Sequence, residues 1–271
     1  MICENCSHKC DLGTDRTGLC HARTVKDGRI VCDNYGAVTS LALDPIEKKP
    51  LAMFRPGSRI LSAGSYGCNL HCPWCQNDSI SRGYIPADHL TCEELVDMAV
   101  DTKSRGNIGI AYTYNEPFVG YEFVRDCSQL AKERGLVNVA VTNGMLERDR
   151  FDALLPFIDA YNIDLKTGVE EKYRTIGGDY TLITDNIRSA VSFGAHVELT
   201  TLVVPGFNDD KDDFSRIVEF VESVDRSVPL HITRFFPAGE MRSARPTSLD
   251  TLYSFREMAV KRLDNVFLGN V

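Results

Sequence analysis

Three cysteines fall within eight residues, at Cys68, Cys72 and Cys75 of the stretch GCNLHCPWCQN. The C-x3-C-x2-C spacing puts three thiolates on one short loop, close enough to ligate a single compact centre. Thiolates suit iron–sulfur clusters and zinc. A structural zinc site closes with four ligands, whereas an open coordination position marks a reactive metal. Iron–sulfur cubanes normally take four cysteines, so three would leave one iron without a protein ligand. A zinc site would need a fourth ligand from His71 or from a distant residue. His71 lies between two of the cysteines and is too constrained to share their metal.

A second group, Cys3, Cys6, Cys10 and Cys20, crowds the first twenty residues. Its four thiols could supply a complete tetrahedral set, for zinc or for an auxiliary iron–sulfur cluster. Cys3 is close to the terminus, where chains fray, and His8 or His21 could stand in for it. The spacing does not choose among zinc, a cluster and no metal. A structural role is expected, because a unit this small needs a staple to fold. Cys32, Cys92 and Cys127 stand alone and read as small buried hydrophobes.

Bulk properties narrow the setting. A net charge of -8 leaves no basic footprint for nucleic acid. No apolar run approaches the ~18 residues of a membrane span, and MICENCSHKC has no apolar stretch of the signal-peptide kind. The expected location is the cytoplasm, and no membrane partner is expected. Ten cysteines there are better read as ligands or catalysts than as disulfides.

These thiols must be positioned by the elements around them. Residues 1–57 read as a cysteine-rich N-terminal subdomain and its connector. They contain two strand-like runs, GRIVC and AVTSLAL, and then Pro45, Pro50 and Pro56, too frequent for a helix interior. Over residues 58–271 apolar strands alternate with helical stretches: RILSAGSY, NIGIAYTY, VNVAVTN, AYNIDLK, HVELTTLVV, PLHITRFF and NVFLG. That alternation predicts an α/β fold with a parallel sheet. Six β/α units suit a partial (β/α)6 TIM-type barrel, since a full eight-fold barrel typically needs ~250 residues. A doubly wound open sheet is the alternative. Polar pairs end three successive strands: Asn115 and Glu116, Thr142 and Asn143, Asp164 and Lys166. Functional groups gather at that edge of parallel β/α folds. His231 begins the sixth strand, where it either faces a ligand or is a satisfied core histidine.

GCNLHCPWCQN resembles the cluster loop of radical S-adenosylmethionine (SAM) enzymes, especially the pyruvate formate-lyase-activating-enzyme branch. The resemblance implies that Cys68, Cys72 and Cys75 hold a [4Fe–4S] cluster whose fourth iron is chelated by SAM. It further implies reductive cleavage of SAM to methionine and a 5′-deoxyadenosyl radical that abstracts hydrogen. Trp74, before the third cysteine, would lie near the adenine. YNEP (residues 114–117) is similar to the strand motif that meets the SAM amino group, through Asn115 and Glu116. TNG (residues 142–144) matches a SAM-contacting turn, with Thr142 and Asn143. DLK (residues 164–166) matches a pair, Asp164 and Lys166, that meets ribose and carboxylate. Thr200 and Leu202 fall where the nucleoside pocket is lined. The N-terminal C-x2-C-x3-C, DPIEKKPL, TRFFPA and LGNV bring the chain closer still to the radical SAM component of the AmmeMemoRadiSam system. The implied partners are a low-potential electron donor of flavodoxin or ferredoxin type, and a protein or small-molecule substrate or the system's other proteins. Activation of a glycyl radical enzyme is the alternative within this class. A non-catalytic zinc scaffold is the alternative outside it.

Overall fold

Side chains of a strand alternate between its two faces, and here that alternation sorts residues between two environments. The computed structural model describes residues 1–13, 16–83 and 85–271. A hairpin of β1 (Arg23–Lys26) and β2 (Arg29–Cys32) comes first, turned at Asp27 and Gly28, both at positive φ. Next follow β3 (Ala37–Val38), β4 (Ser40–Pro45) and β5 (Arg59–Gly64), then α1 (Asp78–Arg82) and β6 (Asp88–His89), which pairs with β3. Alternation then sets in with α2 (Cys92–Asp101), β7 (Asn107–Tyr112), α3 (Tyr121–Glu133), β8 (Val137–Thr142), α4 (Arg148–Leu154) and β9 (Ala160–Asp164). It continues through α5 (Glu170–Thr175), α6 (Tyr180–Phe193), β10 (His196–Val203), α7 (Lys211–Val224), β11 (Leu230–Arg234), α8 (Leu249–Ala259) and β12 (Val266–Gly269).

The main sheet runs β4-β5-β7-β8-β9-β10-β11-β12, parallel throughout except for the antiparallel β4 at its edge. From β5 onward each strand lies beside its successor in the sheet. A doubly wound sheet reverses its strand order at a switch point, so this order favours the partial barrel. Helix starts are fixed locally: Thr91 and Glu94 form a capping box on α2, and Asp179, Asp210 and Ser248 cap α6, α7 and α8. The outer residues of the strands, among them Leu61, Ile110, Ala140, Tyr161, Leu199 and Ile232, pack with the helices in one core.

The inner residues meet something the sequence did not signal. The proline-rich stretch read as a connector instead contributes to the barrel. The strand-like run AVTSLAL supplies most of β4, which joins the sheet, and the stretch after it packs Ile46 and Leu51 with Ile60, Ala111, Val139 and Ala160 in a separate inner cluster. Between Pro45 and Pro50 only a short 3-10 turn forms, Ile46–Lys48, which leaves a strap that can lay two apolar side chains into the barrel. Glu198, fully buried on β10, pins the strap's far end by accepting hydrogen bonds from the Ala52 and Met53 amides at 2.9 and 2.8 Å. His196 and His231 approach the same carboxylate at 2.8 and 2.6 Å.

Burial opposes ionisation of Glu198, but these partners outweigh it and hold its carboxyl down at about 2, below the ordinary 4.5. A depressed acid contributes stability above its unfolded pKa and loses it as pH falls through the folded one. Glu198→Ala should therefore lower unfolding stability at pH 7 by about 3 kcal/mol, the order expected for breaking a buried pair. In denaturant titrations the gap between wild type and variant should narrow as pH falls from 4.5 towards about 2. A gap independent of pH would show that Glu198 does not act as this clamp.

Candidate active site

The loop after β5 carries the three cysteines, and their side chains open on one cavity of about 830 Å³ at the C-terminal ends of the parallel strands. All ten cysteines are free thiols. Backbone contacts grip this loop from both sides. Gly67 is at φ +94°, and a Cβ there would come 2.4 Å from the carbonyl oxygen of Cys20. Gly239, at φ +57°, presses on the other flank, where a Cβ would stand 2.5 Å from the carbonyl oxygen of Pro73. Only glycine fits either position without strain. The Glu240 amide donates to the Pro73 carbonyl at 2.7 Å, and Arg82 donates to the Cys72 carbonyl at 2.9 Å while pairing with Glu240. TRFFPA thus leads into a turn that closes over the loop.

The strand-end pairs form one hydrogen-bonded assembly behind it. Asn115 accepts from the Ser65 amide at 2.9 Å and donates to the Gly67 carbonyl at 3.0 Å, so its side chain binds the cluster loop's entry. The buried carboxylate of Glu116 accepts from the Thr142 hydroxyl and the Asn143 amide, both at 2.7 Å, and from the Phe118 amide at 3.0 Å. Burial pushes this carboxyl up to about 7, against the pull of those donors. Asn143 then reaches forward, donating to Asn69 at 2.8 Å and pointing its amide at the Cys68 sulfur, 3.9 Å away.

Lys166 and Asp164 meet at 2.8 Å beside the thiols. Burial works against the Lys166 ammonium, but Asp164 and Cys72 hold it above the usual lysine range. Burial, with Glu116 and Cys72 alongside, raises the Cys68 thiol, while the Leu70 amide and Lys166 act the other way. Tyr173 and Asn208 position Lys166: the tyrosine hydroxyl accepts from its amide at 2.8 Å, and Asn208 donates to its carbonyl at 2.6 Å. Asn208 also donates to the Leu202 carbonyl at 2.8 Å, which explains the GFND segment after β10. Trp74 packs on Phe207 with ring centroids 4.4 Å apart, and Thr200 is tied to Asn162 at 2.9 Å. Every strand-end residue named from the sequence, with Trp74, Thr200, Leu202 and His231, lines the same cavity. His231 does so while held by Glu198 and stacked on Phe267, 5.2 Å between centroids.

Residues 63–221 match the Radical SAM superfamily. The chain belongs to that superfamily. A protein of uncharacterised function from Methanocaldococcus jannaschii is 38% identical over 99% of this chain and 81% of its own. The pyruvate formate-lyase-activating enzyme of Staphylococcus aureus is 25% identical over 68% of this chain and 77% of its own. Among solved structures, a radical SAM methyltransferase from Sphaerobacter thermophilus superposes with a TM-score of 0.63 at 16% identity, over 80% of this chain and 67% of that one. A domain of pyruvate-formate lyase-activating enzyme from Bacteroides vulgatus gives 0.52 at 18% identity, over 60% of this chain and 99% of that one. These two likenesses establish the fold.

Radical SAM membership implies a [4Fe–4S] cluster and SAM, and the donor set fits both. Three free thiols face one cavity, an amide is directed at one of the sulfurs, and an ammonium and two carboxylates stand close by for a zwitterionic ligand. Several contributors, Tyr173 among them, were given no role from the sequence. Asn69 and Asn208 act through backbone contacts that depend on loop geometry. Phe207 lies in the loop after β10 and acts through a ring contact with Trp74 that only the folded loop brings about. Tyr114 has its φ at +72°, uncommon for a non-glycine residue, and only the folded backbone reveals that. Its hydroxyl donates to Asp44 at 2.7 Å, and Asp44 also takes Lys49 at 2.9 Å and Lys48 at 3.2 Å. Tyr114, Lys48 and Lys49 line the cavity wall.

The radical SAM site thus hangs on Glu116. Glu116→Ala leaves three donors without their acceptor, at about 1–3 kcal/mol for each buried group left unpaired. Equilibrium titration of reconstituted protein with SAM should show affinity reduced at least tenfold, with far-UV circular dichroism unchanged. Wild-type affinity in this variant would remove Glu116 from the account.

Proposed function

We propose that this radical SAM enzyme cleaves SAM reductively and abstracts a hydrogen atom from a polar small molecule bound in the same cavity. One observation carries the reading: the three cysteines share a cavity with Asn143, Asp164 and Lys166, and its wall continues to Lys48, Lys49 and Tyr114. At about 830 Å³ it lies high in the ~300–1,000 Å³ range of ligand pockets, with room for two molecules.

Cys68, Cys72 and Cys75 would hold the cluster. When bound, it supplies one electron to the SAM sulfonium, which breaks to methionine and a 5′-deoxyadenosyl radical. Asn143 and Lys166 set the charge around the sulfurs, Asp164 and Lys166 orient the polar end of SAM, and Trp74 with Phe207 offers an apolar surface to its base. The strap carrying Ile46 and Leu51 lines the barrel and helps exclude water from a radical that would otherwise be quenched. On the cavity wall two ammoniums share the single carboxylate of Asp44. Glu47 lines the same wall, so Lys48 and Lys49 face charges of both signs there, a surface suited to a polar substrate. The radical takes one hydrogen atom, leaving 5′-deoxyadenosine and a substrate radical.

The electron comes from a low-potential donor of flavodoxin or ferredoxin type, and ten free thiols suit a reducing cytoplasm. The shared N-terminal cysteines and DPIEKKPL support a place in the AmmeMemoRadiSam system, with its other proteins as partners. A second reading, activation of a glycyl radical enzyme, is favoured by the likeness to pyruvate formate-lyase-activating enzymes.

Reconstituted wild type, reduced anaerobically, should release 5′-deoxyadenosine from SAM, and Cys68→Ala should lose at least 100-fold of that yield. Retained cleavage in the variant would end the assignment. With deuterated polar small molecules, label should appear in 5′-deoxyadenosine; label arriving only from a glycine of a partner protein would favour the activase reading.

A further inference from the structure

The four N-terminal cysteines are absorbed by none of this chemistry, yet they converge. Cys3, Cys6, Cys10 and Cys20 line one small enclosed cavity of about 10 Å³, closed on the far side by Arg23 and Val119. That is room for one water-sized sphere. Backbone pairing brings the first three together: the Cys3 amide donates to the Cys10 carbonyl at 2.9 Å, and the Lys9 amide to the Cys6 carbonyl at 3.2 Å. Cys20 arrives from the turn before the β1–β2 hairpin, where the His21 amide donates to the Gly18 carbonyl at 2.9 Å.

The interior of this knob is made of sulfur. Among the described residues up to Ala22, the buried apolar side chains are Cys3, Cys6, Leu12, Cys20 and Ala22, so only two are hydrocarbon. Burying two small aliphatic side chains cannot offset the entropy of ordering some twenty residues at about 1–2 kcal/mol each. Units of this kind hold together through a metal or disulfides, and the four thiols are unbridged. Among the described residues, no three His, Cys, Asp or Glu side chains are already drawn in around a single point, and this holds for Cys68, Cys72 and Cys75 as much as for the N-terminal set. Both sets must close by rotation of cysteine side chains about a centre, a small adjustment between staggered wells.

The knob is built against the cluster loop. The Cys20 carbonyl is the atom that Gly67 packs upon, one residue before Cys68. His8 meets the Asn69 carbonyl at 2.7 Å, and Asn5 donates to the Phe118 carbonyl at 2.9 Å, two residues beyond Glu116. Asn69 in turn accepts from Asn143, whose amide faces the Cys68 sulfur.

We propose that Cys3, Cys6, Cys10 and Cys20 hold a second metal centre, a single ion ligated by four thiolates, which fixes the loop carrying Cys68. With four protein ligands it has no position open for SAM, so it does not cleave SAM itself. Its effect on the loop rests on the radical SAM reading, but its existence does not.

The test counts metals per chain in anaerobically purified protein reconstituted with iron, sulfide and zinc. The Cys68 site accounts for four irons, the content of one [4Fe–4S] cluster. The proposal expects one further zinc or one further iron, the single ion that a cavity of about 10 Å³ admits, and a further four irons with sulfide would overturn it. A triple variant with Cys68, Cys72 and Cys75 changed to Ser should keep that further metal, and adding Cys6→Ser and Cys20→Ser should remove it. Wild type carrying four irons and nothing more would overturn the proposal, whether or not any variant folds. So would further metal that survives loss of Cys6 and Cys20. If instead the radical SAM reading is wrong, 5′-deoxyadenosine is not formed and the N-terminal metal remains.

Discussion

The structure depends on one buried carboxylate. Glu116 leaves the end of β7 and collects donors from its own turn and from the end of β8, so that two strand ends and the loop before the cysteines become a single object. Without it, the Thr142 hydroxyl and the Asn143 and Phe118 backbone amides would lose their acceptor, and the backbone that carries the Asn143 side chain towards Cys68 would lose its anchor. Burying an acid is costly unless donors meet it. Here three do, and the outcome is a rigid platform where β/α folds otherwise place their most variable loops.

Around that platform the fold works by closing things off. Two glycines let backbone from opposite ends of the chain press on the cysteine loop, Gly67 against Cys20 and Gly239 against Pro73. The strap of Ile46 and Leu51 fills the inner barrel, and Glu198 holds its end. Each is a contact between distant segments, and each limits either the movement of the loop or the access of water. The carbon radical proposed for this site would need both limits. The wall of Glu47, Lys48, Lys49 and Tyr114 adds a third property, paired charges of both signs facing the cavity beyond the cysteines.

Much of this was legible from spacing alone. Cysteines with three and two residues between them announce a single centre, and period-2 alternation interrupted by helices announces a parallel sheet. Polar pairs at three strand ends line one cavity because parallel strands bring their C-terminal ends to one edge. What was not legible shares a cause. The strap reads as a linker because its prolines exclude regular structure, while its destination, against a carboxylate 146 residues away, depends on which face of β10 turns inward. Asn69, Phe207 and Asn208 work through backbone or ring contacts set by the folded loops. Lys49 looks like solvated surface charge until Asp44 and Tyr114 are seen beside it. The convergence of the four N-terminal cysteines was open as a possibility, but their seat against Gly67 was not.

The central claim is that three cysteines leave one iron for SAM to bind. Electron paramagnetic resonance of the reduced, reconstituted protein tests it most directly, recorded with and without SAM. Binding at the open iron should change the g-values and line shape of the Cys68, Cys72 and Cys75 cluster, and the change should be absent from a Lys166→Ala variant at the same SAM concentration. A wild-type spectrum that SAM leaves unaltered would contradict the account.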